Sequence, residues 1–344
     1  MRAALASLAL PLVLSACSES SEPPNANNGG SSASGGAAGS AGAAGSGGAA
    51  GTSGSSGSGG TSGAFGSGGS SGTTQNPDGG PPDDDSDIPQ DKDTGPSTSA
   101  SRLKAFPLGG SKTAPNGFYE YLPPGYGASS RAPLLVFWHG IGQNGNGGSE
   151  LDKVLGEGPP KLIDANQWPD SRPFVVLMPQ YVGVNGEIAP GKGCPSSAII
   201  HAFLTWALDE YSIDPKQVFL TGLSCGAIGS WDYLGDHPGT TVAAAVLICG
   251  NPGDPTETGS AWERAGCEIG NAAIWSLHGD ADSVVPYEPD RDTMQRLIAC
   301  PKPPRRAAVL STLEGADHGI WPPIYDLSSG LGNVYQWLLE HPKR

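Results

Sequence analysis

The chain has 344 residues, 53 of them glycine, and a formal charge of −15; that length holds one large domain or two small ones. Residues 18–100 contain no Leu, Val, Trp or Tyr, and only Phe65 and Ile88 there are large and apolar. Nine acids against Lys92 give that stretch −8, the 25 acids and 17 bases after it give another −8, and Arg2 supplies +1. An acidic chain without a basic cluster excludes nucleic acid as a partner.

Met1-Arg2 opens an apolar run, Ala3 to Leu14, that is too short to span a bilayer and ends in small residues. This is the pattern of an export signal over residues 1–17. Leu14-Ser15-Ala16-Cys17 resembles a bacterial lipobox. The resemblance implies that Cys17 becomes lipidated and forms the new N-terminus, the alternative being an ordinary signal with a chance cysteine. The expected address is the cell envelope, at the outer membrane or cell surface, held by the N-terminal lipid alone, or else the medium. Ser18, rather than an aspartate, is compatible with outer-membrane sorting. Residues 18–100 bury too little apolar surface to offset their ordering entropy, so they read as a disordered Gly/Ser/Ala/Pro/Asp linker. Its root-mean-square reach is about 50 Å. A tether that lets a domain search near a surface and an inert spacer would share this sequence. No later run is long and apolar enough to be a transmembrane helix.

The remaining residues, 101–344, read as one α/β domain. Gly117 to Tyr126 gives an early strand closed by a proline turn, and Pro133 to Gly140 is a continuous apolar run, as in a strand covered on both faces. A helix-sized segment from Ser149 to Ala165 is interrupted by Pro159-Pro160, and Phe174 to Pro179 repeats the strand signal. Ser196 or Ser197 can cap a helix whose apolar positions Ile199, Ile200, Phe203, Trp206 and Ala207 fall at helical spacing. Strands at Val218–Leu223, Val242–Cys249, Ala273–His278 and Ala307–Leu313 alternate with helices reaching His237, over Glu288–Ile298 and over Leu331–Glu340. Such alternation predicts a mostly parallel sheet with helices on both faces.

The chemistry centres on Gly222-Leu223-Ser224-Cys225-Gly226, where a strand passes through a sharp turn into a helix. Glycine two residues either side of the serine is what that bend demands, since a Cβ there would meet the adjoining strand or helix. The same Gly-x-Ser-x-Gly pattern at Gly68 to Gly72 sits in low-complexity sequence and carries no such context. Ser224 is therefore the expected nucleophile. A serine hydroxyl needs a base, and the base a carboxylate to orient it. In chain order Ser, Asp or Glu, His, the downstream histidines are His237, His278 and His318. His237 ends the elbow helix and His278 closes a strand, which leaves His318 as the base. Asp280 and Asp282 compete for the carboxylate role. Asp282 lies further into the loop and is preferred, Asp280 reads as a turn-former, and Asp317 ranks third because it adjoins His318. The oxyanion formed on attack needs two N–H donors: that of Cys225, and one from the loop after His139, with Ile141 first and Gly142 second. His139 itself reads as a structural hydrogen-bonder.

His139-Gly140-Ile141-Gly142, the Ser224 elbow, His278-Gly279-Asp280-Ala281-Asp282 before Val285-Pro286, and Asp317-His318 together resemble the α/β-hydrolase superfamily. Within it the chain is similar to secreted feruloyl and acetylxylan esterases and polyhydroxybutyrate depolymerases. It is also similar to phospholipase/carboxylesterase and prolyl-oligopeptidase-like proteins. The resemblance runs from about Phe118 to the C-terminus. It implies an α/β-hydrolase fold and hydrolysis of a carboxylic ester, with a plant polysaccharide or polyester as conceivable substrate.

In an exported domain disulfides are permitted. Of Cys194, Cys225, Cys249, Cys267 and Cys300, the pair Cys267 and Cys300 flanks one strand–helix unit and is the candidate bridge, with Cys225 open as a buried thiol beside the site. No residue cluster has convincing metal-ligand spacing and no phosphate loop is present, so neither metal nor cofactor is expected. Trp321, three residues after His318, is a candidate wall of the substrate pocket. The reading that follows is a serine carboxylesterase. A peptidase and a non-catalytic polysaccharide-binding lipoprotein are the alternatives.

Overall fold

The computed structural model describes residues 88–344 except 129–130, 184–186, 240 and 304. The signal, Cys17 and residues 18–87 of the expected linker lie outside the described residues. The strands are β1 (Leu103–Phe106), β2 (Phe118–Tyr121), β3 (Ala132–Trp138), β4 (Val175–Pro179), β5 (Ile213–Leu223), β6 (Ala244–Ile248), β7 (Ala273–Gly279) and β8 (Ala308–Leu313). The helices are α1 (Gly158–Asp164), α2 (Ser197–Glu210), α3 (Cys225–Asp236), α4 (Ala261–Ala265), α5 (Tyr287–Ile298), α6 (Trp321–Tyr325) and α7 (Val334–Leu339).

One sheet takes the strands in the order β1-β2-β4-β3-β5-β6-β7-β8. β2 runs antiparallel to both its neighbours, and every pairing from β4 across to β8 is parallel. The apolar run in β3 shows why both faces had to be covered. Leu134, Val136 and Trp138 enter the core formed with α2, α3 and α5, while Leu135 and Phe137 enter the core formed with α1, α6 and α7. Side chains alternate across a strand, so an unbroken apolar stretch is stable only with helices on both sides.

Several local expectations change. β1 carries no strong pattern: its residues Leu103 to Phe106 are half-buried or exposed at the sheet edge, so pairing with β2 rather than core burial defines it. Pro159 and Pro160 do not interrupt a helix but begin one, in the first turn of α1, where their missing N–H groups would have had no partner. Ser196 precedes α2 without capping it through its side chain; the Asp232 carboxylate accepts from the Ser197 N–H instead. β5 starts five residues before Val218, because Ile213 pairs with Ala132.

The boundary at residue 100 is also corrected. Residues 88–100 belong to the folded part: Ser99 is fully buried and donates to the Ile163 carbonyl at 2.7 Å. Asp93 pairs with the buried Arg172 at 2.7 Å, and the Asn333 N–H donates to the Pro89 carbonyl. This strap is held by polar bonds to its neighbours. An expectation based on apolar content alone does not see such attachment.

Candidate active site

β5 ends at Leu223 and α3 begins at Cys225, so Ser224 occupies the whole turn, at φ 50° and ψ −120°. Positive φ is costly for a residue with a side chain, about 1–3 kcal/mol, and persists only where the surroundings over-determine it. They do so here. A Cβ on Gly226 would lie 1.9 Å from the Trp138 carbonyl oxygen, and one on Gly222 would lie 2.6 Å from the Gly226 carbonyl carbon. The helix N-terminus is thus pressed against β3 and β5, and the serine is lifted out at the carboxyl edge of the sheet.

His318, in the loop after β8, reaches the elbow with Nε2 2.9 Å from Ser224 Oγ. Its Nδ1 lies 2.7 Å from Asp282 Oδ2. A carboxylate only accepts, so the proton sits on Nδ1 and the Nε2 lone pair is left to accept from the serine hydroxyl. Asp282 is held from its other oxygen as well: Oδ1 accepts the N–H groups of Val284 and Val285 at 2.9 and 2.8 Å. Burial alone would raise this carboxyl's pKa. Donation from His318 and from the Val285 and Val284 backbone, with the His318 charge, holds it below the ordinary carboxylate value instead.

The competing groups are engaged elsewhere. Asp280 accepts from the Gly315 N–H at 2.6 Å, fastening the β7 loop to the β8 loop. Asp317 accepts from the backbone N–H and hydroxyl of Ser283 and from the N–H of His318, and these bonds lower its pKa. It ties the two loops together without reaching the imidazole. His237 lies at the far end of α3 and stacks on His201 at 4.2 Å between ring centres.

Both proposed oxyanion donors stand at the first position of a helical turn, Ile141 in the 3-10 turn Ile141–Gln143 and Cys225 in α3, where N–H groups have no partner within the turn. The loop carrying Ile141 lies directly against the elbow: a Cβ on Gly140 would be 3.7 Å from Ser224 Cβ. His139 fixes this loop. It accepts from the Tyr181 N–H on Nε2 at 2.9 Å, so Nδ1 carries the proton and donates to the Gly140 carbonyl at 2.7 Å. Across a trans peptide the carbonyl and the next N–H point oppositely, so this bond turns the Ile141 N–H away from the His139 ring. Complete burial pulls the His139 pKa down to about 4, which keeps the ring neutral in this role. Gly142, the second choice, has open space where a side chain would begin.

Trp321 starts α6 and stands edge-on to the His318 ring at 5.2 Å between centres. A cleft of about 210 Å³ opens one turn further along α3, lined by Ile188 and Ile228 as well as by Asp232, Asn251 and Arg264.

Three features escaped the sequence. Cys225 is not a free thiol but is joined to Cys194, and the free cysteine among the described residues is Cys249, buried under the site with its Sγ 3.2 Å from the His318 carbonyl oxygen. Cys267 and Cys300 are joined as expected. The third feature is a buried group behind Asp282, His278 with Asp290. No spacing rule marks these pairings, since each joins loops or elements that only the folded sheet brings together.

No family model and no curated protein matches this chain. Among solved structures it is similar to a thermostable esterase, at 23% identity over 71% of this chain and 64% of that one, with TM-score 0.47. It is also similar to the acetyl xylan esterase from Aspergillus awamori (18%, over 64% and 94%, TM-score 0.43) and to a serine-to-alanine mutant of the feruloyl esterase module from Clostridium thermocellum complexed with sinapinate (15%, over 72% and 93%, TM-score 0.49). The chain spans 64% of the length of the first of these. The sheet order with its reversed second strand, the strand–serine–helix elbow and the chain order Ser, Asp, His make the fold of this protein an α/β-hydrolase fold.

Proposed function

We propose that this protein is an exported, lipid-anchored serine hydrolase that cleaves carboxylic esters through an acyl-enzyme. The observation that carries the reading is the unbroken hydrogen-bond chain from Ser224 through His318 to Asp282. Ser224 Oγ attacks the ester carbonyl carbon while its proton passes to His318 Nε2. The oxyanion rests on the N–H groups of Cys225 and Ile141, worth about 3 kcal/mol each in comparable sites. Collapse breaks the bond to the alcohol, which leaves with the proton from Nε2. Water then attacks the acyl-enzyme with His318 again as base, and Asp282 stays ionised throughout. The resemblance in sequence favours an ester over a peptide, and the mixed lining of the cleft beside α3 suits a polar alcohol such as a sugar unit.

Turnover of acetyl, butyryl and feruloyl esters and of a polyester film, compared with internal cleavage of a peptide, tests the reading. Ester hydrolysis with far slower peptide cleavage is expected. Comparable rates on both would favour a peptidase, and binding of polysaccharide without turnover would favour a binding protein. Trp321→Ala should raise KM for aromatic esters more than for acetate, and equal effects would remove Trp321 from the pocket. For the anchor, Cys17→Ser should abolish incorporation of labelled palmitate and release the protein from the membrane fraction. Unchanged labelling would rule out lipidation at Cys17.

A further inference from the structure

Behind Asp282 the hydrogen bonding continues into the core. His278, at the end of β7, has a fully buried side chain and lies with Nε2 3.2 Å from Asp282 Oδ2 and 3.1 Å from the Val285 carbonyl. Its Nδ1 lies 3.0 Å from Asp290 Oδ2, which also accepts from the Ser276 hydroxyl at 2.6 Å. With both carboxyls ionised, every atom facing the ring nitrogens is an acceptor. Nε2 meets a carboxylate and a carbonyl, and Nδ1 meets a second carboxylate. A neutral imidazole has one N–H and would leave two lone pairs facing each other on one side. Asp290 sharpens the constraint: it is fully buried, and its Oδ1 has no hydrogen-bond partner among the described residues. An isolated carboxylate there would be very costly, and of the two groups bonded to it only His278 can carry a positive charge.

We propose that His278 is a positioning residue, an imidazolium buried between Asp282 and Asp290 that keeps the Asp282 carboxylate aimed at His318 and places a positive charge behind it. The consequence is functional. That charge opposes a second positive charge on the same carboxylate, so the hydrolase stays active further into acid than Ser224, His318 and Asp282 alone would allow. This inference rests on the proposed hydrolase reading for its effect on rate, but not for the charge on His278.

The surroundings agree with a positive ring. Burial by itself would lower the pKa of His278, yet the hydrogen bond and charge of Asp290, the Val285 carbonyl and the charge of Asp282 outweigh it and hold the pKa above the ordinary value. From α5, Tyr287 presents its ring edge-on at 5.6 Å between centres and sends its hydroxyl to Thr312 on β8. From the end of β6, Cys249 adds a thiol whose pKa is pushed up, by burial first and then by the charges of Asp282 and Asp290, so it contributes no charge near neutrality. The charges of Asp280 and Arg291 act on the Tyr287 hydroxyl, with opposite signs. His318 faces His278 across the shared Asp282 oxygen.

Two substitutions separate the charge from the scaffold. His278→Gln keeps an N–H donor near the Nε2 position and removes the charge. Asp290→Asn removes the counter-ion, so that His278 becomes neutral while Nε2–H still donates to Asp282. In both, the acid limb of kcat/KM should move up by about one pH unit, with rates above the limb within a few-fold of the unsubstituted protein. A merely structural histidine would lower the rate or the melting temperature and leave the limb in place. Nitrogen-15 NMR of histidine-labelled full-length protein reads the charge without any activity and in a chain that needs no substitution. Both His278 ring nitrogens should stay protonated above the pH at which an exposed imidazole loses its proton. A His278 ring that loses its proton no later than an exposed imidazole does, or variants that fold and show an unmoved or lowered acid limb, would overturn the proposal. Absence of turnover with a doubly protonated His278 would instead defeat the hydrolase reading alone.

Discussion

Ser224→Ala is expected to lower kcat on a short carboxylic ester by about a million-fold while leaving the fold intact. In the proposed reaction the hydroxyl oxygen forms the acyl bond, and neither cysteine beside it can take its place. Cys225 is tied to Cys194, and Cys249 points its thiol at the His318 carbonyl. His318→Ala should cost nearly as much, and the double substitution little more than either one, because a nucleophile and its base act as one unit. The alanine inherits the positive φ of Ser224, so stability should change by less than about 1 kcal/mol. Unchanged melting with lost turnover is the expected pair of results. Turnover reduced only a few-fold would move the nucleophile elsewhere.

Asp282→Asn should do less damage than loss of the serine or the histidine, at about 10⁴-fold in kcat. An asparagine can still accept the Val284 and Val285 N–H groups on its oxygen. Its amide then turns an N–H donor toward His318 Nδ1, where a carboxylate had accepted. That favours the tautomer with the proton on Nε2, which no longer takes the proton of Ser224. Asp280→Asn and Asp317→Asn separate this effect from loop damage. Both residues join the same two loops, through Gly315 and through Ser283, but neither touches the imidazole. Each should lose well under about 100-fold. A loss at Asp280 or Asp317 equal to that at Asp282 would show that loop order, not the carboxylate's bond to His318, dominates.

The layered sheet was legible in the sequence because β3, β4, β6 and the second half of β5 are largely apolar on both faces, and that pattern has few stable solutions. The elbow was legible because Gly222 and Gly226 have no room for a side chain, a steric demand that must be written into residue type. The choice among His237, His278 and His318 rested on chain order and on which residue falls in a loop, and the structure brings His318 and Asp282 to the serine. What stayed hidden is what depends on distance across the fold. β1 is defined by pairing alone. The strap at residues 88–100 is held by side chains such as Asp93 and Ser99 that look like linker composition. Cys194 meets Cys225 only because the loop before α2 folds over the elbow. His278 and Asp290 look from the sequence like a strand end and a helix surface, yet both are fully buried.

The most direct test is to treat the full-length protein with a fluorophosphonate, digest it and map the adduct by mass. A serine deprotonated by His318, with two N–H donors for the phosphonyl oxygen, should be phosphonylated at a single site, on the peptide containing Ser224, and the Ser224→Ala protein should take up none. A folded protein that stays unlabelled, or one labelled equally with and without the Ser224 hydroxyl, would contradict the assignment of Ser224 as nucleophile.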